Sequence, residues 1–377
     1  MNKVHFFAVL LSSLLGMTLM SFDMRAAYAW SDDSPAESAP PTLWAPASCL
    51  IDKCVYVPGE YGVTVIDSVT NRVLGTIEVN NGYLRAVAVR TAPSPRGYIG
   101  DIYSNDSSIQ MFDAVTDQIF GPRPVIGDSF VALTLNTAGT LVYVLTTNGS
   151  PSSQVTVLYA NTNQIITTVP LSGIQVDDCV SGLTCSNIAL NPQGTVAYIL
   201  GVVSGASNSS LTLMDATTYQ KLASISLRNG RTRQVALSPT GNLAYVTLQT
   251  TGTGDSGWIQ AINTVTDEVV ATINVSGKPD GVAFSPNGAR AYVAGSGGVS
   301  VIDTASNAIV ATIPVAVGAR AVAVTPNGAR AYVTSTAEGS GNDTVSVIDT
   351  ATNAVSATIP LPPLSISGNT IAITPGG

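Results

Sequence analysis

The 377-residue chain is 45% hydrophobic and only 11% charged, and 24 acidic against 16 basic residues leave it at −8. That balance, with aromatics at 6%, disfavours a nucleic-acid surface, which needs clustered Lys and Arg or a row of stacking rings. The length admits either two or three ordinary domains or one large closed β architecture.

Residues 1–29 read as an export signal. Lys3 precedes an apolar run over residues 6–20, and Ala27-Tyr28-Ala29 fits the small-x-small pattern of a cleavage site. The run is short for a membrane span, while Asp23 and Arg25 make an untidy flank that leaves an uncleaved anchor as the alternative. Cleavage after Ala29 removes His5, the single histidine. The remaining chain then has no Ser-His-Asp or Cys-His pair and no imidazole for haem or zinc. No cofactor and no metal centre is expected. Residues 30–46 carry Ser, Pro, Ala and acidic groups without a period and read as a flexible leader. An exported chain with Cys49, Cys54, Cys179 and Cys185 is expected to hold two disulfides. Of the three possible pairings, proximity in sequence favours Cys49–Cys54 and Cys179–Cys185.

From residue 47 to 377 the chain repeats. The unit is clearest over residues 281–315 and returns over 321–361. Two markers count the copies: Asp67, Asp113, Tyr159, Asp215, Asn263, Asp303 and Asp349 end the third strand of each unit, and Tyr56, Tyr98, Tyr143, Tyr198, Tyr245, Tyr292 and Tyr332 mark the second. Both recur about every 47 residues, the length of a four-stranded propeller blade. Within a unit an apolar first strand (Val282-Ala283-Phe284) leads through Ser285-Pro286-Asn287-Gly288, a tight hairpin, to the Tyr-Val strand. The third strand is expected to alternate, Val299 and Val301 inward against Ser300 and Ile302. Ala308 to Pro314 forms the fourth. The chain stops on a first strand, Ile371 to Thr374, and opens on a second, Cys54 to Val57. The expected fold is therefore an all-β, seven-bladed β-propeller whose closing blade is shared between N- and C-terminal strands, which removes the open sheet edge.

Tyr332-Val-Thr, Val347-Ile-Asp-Thr and Thr325-Pro-Asn-Gly together resemble the YVTN family of bacterial and archaeal propeller repeats. The resemblance covers residues 47–377, is sharpest in the last two full units and blurs near Tyr159. It implies a secreted, periplasmic or surface propeller. Relatives in the wider superfamily include haem-binding nitrite reductases, quinoprotein dehydrogenase subunits, lactonases and antibiotic lyases. The lack of histidine makes the haem enzymes and the histidine-dependent lyases poor guides. A fold of this kind does not specify chemistry.

The repeated Asp reads as an Asx-turn residue and the repeated Tyr as core packing with a hydroxyl in need of one partner. Variation between units is expected to mark the functional face. By analogy with other propellers, unequal connections lie on one face: 101–108, 146–154, 175–185, 204–210, 250–258 and 336–344. Glu338, Asn342 and Asp343 are of the residue types that hold a calcium ion, but their spacing matches no strict loop motif. One position just ahead of each inner strand reads, around the ring, Arg85, Ser129, Ser186, Arg233, Asp280, Arg320 and Asn369. The repeat does not need arginine there, and guanidinium forks at a narrow mouth suit a carboxylate or phosphate. Neutralisation by Asp280, Asp177 and Asp178 is the competing account. Three functions follow from these readings. The first is a non-enzymatic, monomeric module binding a protein, a saccharide or a small anion. The second is a carboxylate- or calcium-dependent hydrolase, lactonase-like, at the mouth. The third is single-strand nucleic-acid binding, which the net charge disfavours.

Overall fold

A computed structural model describes residues 53–60, 62–79, 83–90, 94–103, 106–127, 129–147, 153–176, 187–203, 209–250, 254–336, 343–362 and 370–374. Over these residues the secondary structure is all strand and turn, and it forms seven antiparallel sheets in chain order, the blades of a β-propeller. From the channel outward, blade six runs Pro279–Phe284, Arg290–Gly295, Gly298–Asp303 and Ala308–Ile313. Two blades have a broken strand. The inner strand of blade four is split into Ile174–Gln175 and Ile188–Leu190, both paired with Val196–Val203. The outer strand of blade two is split into Ile119–Phe120 and Val125–Gly127, both paired with Asp106–Asp113.

The closing blade joins both ends of the repeat. Ala372–Ile373 pairs antiparallel with Cys54–Pro58, Tyr56 opposite Ala372 and Val55 opposite Ile373. Thr374, fully buried, locks the join: its backbone N–H donates to the Cys54 carbonyl at 3.0 Å, and its Oγ1 accepts from the Cys54 N–H at 3.0 Å. Thr370 Oγ1 accepts from the Val87 N–H at 3.1 Å and so ties the last strand to blade two.

The third strand does not alternate as expected. Val299, Ser300, Val301 and Ile302 are all buried. Blades stack face against face, so a middle strand is covered on both sides and reads as a continuous run. The core is accordingly divided into seven clusters, each shared by two adjacent blades. That between blades one and two contains Tyr56, Val65, Leu84 and Phe112, and that between blades seven and one contains Val55, Ile66, Tyr332 and Val347. No blade buries its apolar faces without both neighbours.

The seven tyrosines find their partners across these interfaces. The hydroxyls of Tyr56, Tyr98 and Tyr143 donate to the carbonyls of Ala114, Ala160 and Ala216 at 3.3, 2.5 and 3.1 Å. Tyr198 and Tyr292 hydrogen-bond with the side chains of Thr264 and Thr350. Tyr245 donates to Asn307 Oδ1 at 2.6 Å, and Tyr332 to the Ser68 carbonyl at 3.0 Å and Asn71 Oδ1 at 2.9 Å. Every one of these contacts lands on the turn after the third strand of the next blade, and Tyr332 completes the circle on blade one. Burial pushes the phenols of Tyr143 and Tyr245 up to about 12, so they remain donors.

Those turns share one geometry. Asp67 Oδ1 accepts from the backbone N–H of Val69 and Thr70, and Asp113, Asp215, Asn263 and Asp349 repeat the pattern. Such bonds hold the Asp215, Asp303 and Asp349 carboxyls below their usual range. Four residues on, each turn has a left-handed residue: Asn71, Asp117, Asn163, Tyr219, Asp267, Asn307 and Asn353, with φ from 52° to 61°. Asn and Asp tolerate this region best among residues with a side chain.

Asp117 is the ill-fitting member. Both its carboxylate oxygens are buried without a hydrogen bond, and burial, then the Asp113 charge, raises its pKa to about 6. A carboxyl raised in the folded state favours folding below its unfolded pKa, and that support is lost as pH rises through about 6. Asp117→Asn installs the residue that blades one, three, six and seven use. It is expected to raise stability by about 2 kcal/mol at pH 7.5 and to change little at pH 4. Thermal melts of both proteins from pH 4 to 8 check this; equal gains at both ends would exclude a charge origin.

Candidate functional site

The inner strands present two levels to the channel. Cross-strand from the seven tyrosines stand Ala372, Ala88, Thr134, Ala189, Ala236, Ala283 and Ala323. All are half-buried. Blades narrow toward the axis, and small side chains let the inner strands converge there. Above this level lies the mouth.

Ser186 and Asn369 lie outside the described residues. The other five ring positions are placed on their inner strands: Arg85 on Tyr83–Arg90, Ser129 opening Ser129–Leu135, Arg233 on Arg231–Leu237, Asp280 on Pro279–Phe284 and Arg320 on Ala319–Val324. Arg85, Arg233, Asp280 and Arg320 share a cause: each falls where its strand slips register against the second strand, in a β-bulge. A bulge re-aims a side chain out of the pleat, and the extra residue is invisible in a repeat aligned by its apolar positions. At this level the strands nearly touch; a Cβ on Gly281 would lie 2.4 Å from the Arg320 carbonyl oxygen.

The arginines are not equivalent. Arg233, 6% exposed, stands 3.5 Å from Asp280 Oδ1 in an ion pair and donates to Gln249 Oε1 at 2.5 Å. Gln249 in turn donates to Asp280 Oδ1 at 2.9 Å and to the Pro279 carbonyl at 3.0 Å. Arg320 donates through Nε to Thr336 Oγ1 at 2.8 Å. Arg85 differs in having no carboxylate: its Nε, like that of Arg233, is buried with no hydrogen bond, but it enters none of the ion pairs formed among the described residues. Burial lowers its pKa.

The connections of the mouth face are shorter than expected at 146–154 and 250–258, where Thr146 and Thr147 pair with Gln154 and Ser153 and Ser256–Asn263 is a strand, and they depart furthest at 101–108. Residues 101–108, expected as a loop, are mostly paired: Asp101 faces Ser108, Ile102 faces Ser107 and Tyr103 faces Asp106. The polar run was legible as loop composition, yet its polar groups satisfy one another. Fully buried Asp101 receives Arg123 Nη2 at 2.6 Å, Gln110 Nε2 at 2.9 Å and the Ser108 hydroxyl, while Arg123 Nε donates to Ser108 Oγ at 2.6 Å. Asp343 is buried, whereas Glu338 and Asn342 lie outside the described residues, as do Asp177 and Asp178. Among the described residues no group of three or more His, Cys, Asp or Glu is placed to hold a metal, and no helix is long and apolar enough to cross a membrane. Cys54 is buried and disulfide-bonded. Cys49, Cys179 and Cys185 lie outside the described residues, so the local pairings remain expectations.

One basic segment was missed in the sequence. Arg228-Asn-Gly-Arg-Thr-Arg233 places three arginines in six residues, and its density alone was the available signal. It connects blade four to blade five, and the Arg228 guanidinium sits 4.4 Å from the ring centre of Trp258.

A Kuenenia stuttgartiensis hydrazine synthase structure is similar with a TM-score of 0.65 at 17% identity, covering 84% of this chain and 99% of the other. A functionally unknown protein from Desulfotomaculum acetoxidans DSM 771 is similar with a TM-score of 0.62 at 16% identity, covering 85% and 99%. At such identity the likeness concerns the fold, a seven-bladed propeller, and leaves function open. No family model matches the chain, and no curated protein matches it.

Proposed function

We propose that this protein is an exported propeller of the YVTN type that binds an anionic ligand at the mouth of its channel, with Arg85 as the principal contact. The carrying observation is the contrast among the mouth arginines. Arg233, whose Nε is likewise buried without a hydrogen bond, is neutralised by Asp280, and Arg320 is held by Thr336, whereas Arg85 has no carboxylate partner among the described residues to offset its buried Nε. A guanidinium in that state is poised for a bidentate oxyanion, and the restricted mouth strengthens the attraction. Export is supported by the signal-like N-terminus, and the YVTN assignment by the repeat motifs. The hydrolase reading has less support, because Asp101 and Asp280 are each committed to an arginine.

Thermal-shift and calorimetric titrations with small dicarboxylates, phosphosugars and acidic saccharides test the proposal. Arg85→Ala is expected to weaken binding by about 1.5–3 kcal/mol, the scale of a charged hydrogen bond. If no anion moves the melting temperature of the unsubstituted protein, the ring is structural.

A further inference from the structure

The connection between blades four and five carries a feature that the mouth does not explain. Arg228 is exposed, and its guanidinium carbon lies 4.4 Å from the ring centre of Trp258. A cation over a ring face is attracted by it, and an exposed guanidinium keeps N–H groups available to a further partner. Arg231 begins the inner strand opposite Gln249 and is half-buried. Neither arginine forms an ion pair among the described residues. Arg233 follows at the mouth. Along a strand, Arg231 and Arg233 stand about 7 Å apart, and Arg228 lies three residues farther toward the rim. Arg228 and Arg231 thus precede the paired Arg233 on the way from the connection into the mouth.

A second observation is independent of charge. Two buried polar atoms on this blade have no hydrogen-bond partner, the indole Nε1 of Trp258 and Oγ1 of Thr232. Thr232 is 1% exposed. Both residues face Leu248 across the sheet, one from each side, and the Gly230 backbone closes on the same indole, where a Cβ would lie 3.0 Å from Cζ2. Buried polar atoms without partners are uncommon in folded proteins and call for an explanation.

We infer that this connection is an outer subsite of the mouth, and that the ligand is a chain of carboxylated sugars lying from mouth to rim. The inference rests on the anion-binding reading above and extends it from a small anion to a chain. Exposed amides accompany the cations: Asn229 lies between the arginines, and Asn274 is cross-strand from Trp258. Amides match sugar hydroxyls, whereas a nucleic-acid strand asks for an open aromatic face, and here Arg228 already covers the indole.

Calorimetry with galacturonic acid and its tetramer tests the subsite, with a thymidylate tetramer as a third arm. The sugar tetramer is expected to bind at least about tenfold tighter than the monomer, one charged contact being worth that much. Arg228→Gln and Trp258→Phe are expected to remove the gain from length and leave monomer affinity unchanged, whereas Arg85→Ala weakens both. Arg228 is exposed, so that variant folds, and its ligand-free melting temperature verifies it. Equal affinity for monomer and tetramer, with dependence on Arg85 intact, overturns the subsite and leaves the mouth standing. Absence of binding by any anion overturns both. Preference for the thymidylate overturns the sugar assignment.

Discussion

Deleting Ile371 to Gly377 is expected to lower the melting temperature by roughly ten degrees or to prevent folding altogether. The segment supplies two half-buried isoleucines and the fully buried Thr374, whose bonds to Cys54 hold the inner strand of blade one. Each hydrogen bond contributes about 1 kcal/mol, and each isoleucine about 1–2 kcal/mol of burial. The loss also bares an edge of Cys54–Pro58, and through it the cluster shared by blades seven and one. A synthetic peptide of residues 368–377 added to the truncated protein is expected to restore part of the loss. A truncated protein that melts with the intact one would show that ring closure carries no stability.

Gly97→Ala is the substitution expected to cost most for its size, about 3 kcal/mol. A Cβ there would lie 1.8 Å from the Phe112 ring. Phe112 faces Gly97 across the sheet, and its ring centre stands 5.2 Å from that of Tyr56. The blade trades a side chain on one strand for a larger one on the next. Blades six and seven make the other trade at the same place, Ala291 with Ile302 and Ala331 with Ile348. Phe112→Ile in the Gly97→Ala background is therefore expected to recover most of the loss, giving a strong coupling in a double-mutant cycle measured by denaturant unfolding. Additive costs would exclude the volume exchange.

The same pair shows which parts of the molecule were legible. Tyr and Asp recur because each is required by a backbone-level contact, the bond to the next blade or the Asx turn, so their spacing counted the blades. Tyr159 looked like a defect in the pattern. Its turn nevertheless keeps the shared backbone, with the Asn163 N–H donating to the Tyr159 carbonyl at 2.8 Å and φ of Asn163 at 58°. The left-handed position four residues on was readable as a run of Asn and Asp broken by Tyr219. What stayed hidden depends on neighbours in space. The bulges that set Arg85 apart from the pleat are a property of pairing, and the burial of Ser300 comes from the adjacent blade. Asp101 reads as a loop residue until Arg123, more than twenty positions away, is seen against it.

The tyrosine contacts have a direction. Every blade reaches its successor through one tyrosine hydroxyl and is reached by its predecessor through another, so the assembly reads the same from any starting blade. A chain cut in one of the connections and rejoined at its natural ends would keep all seven contacts and move only the covalent seam. Sequence order thus records where the ring was opened, and the cohesion of the ring belongs to its circumference.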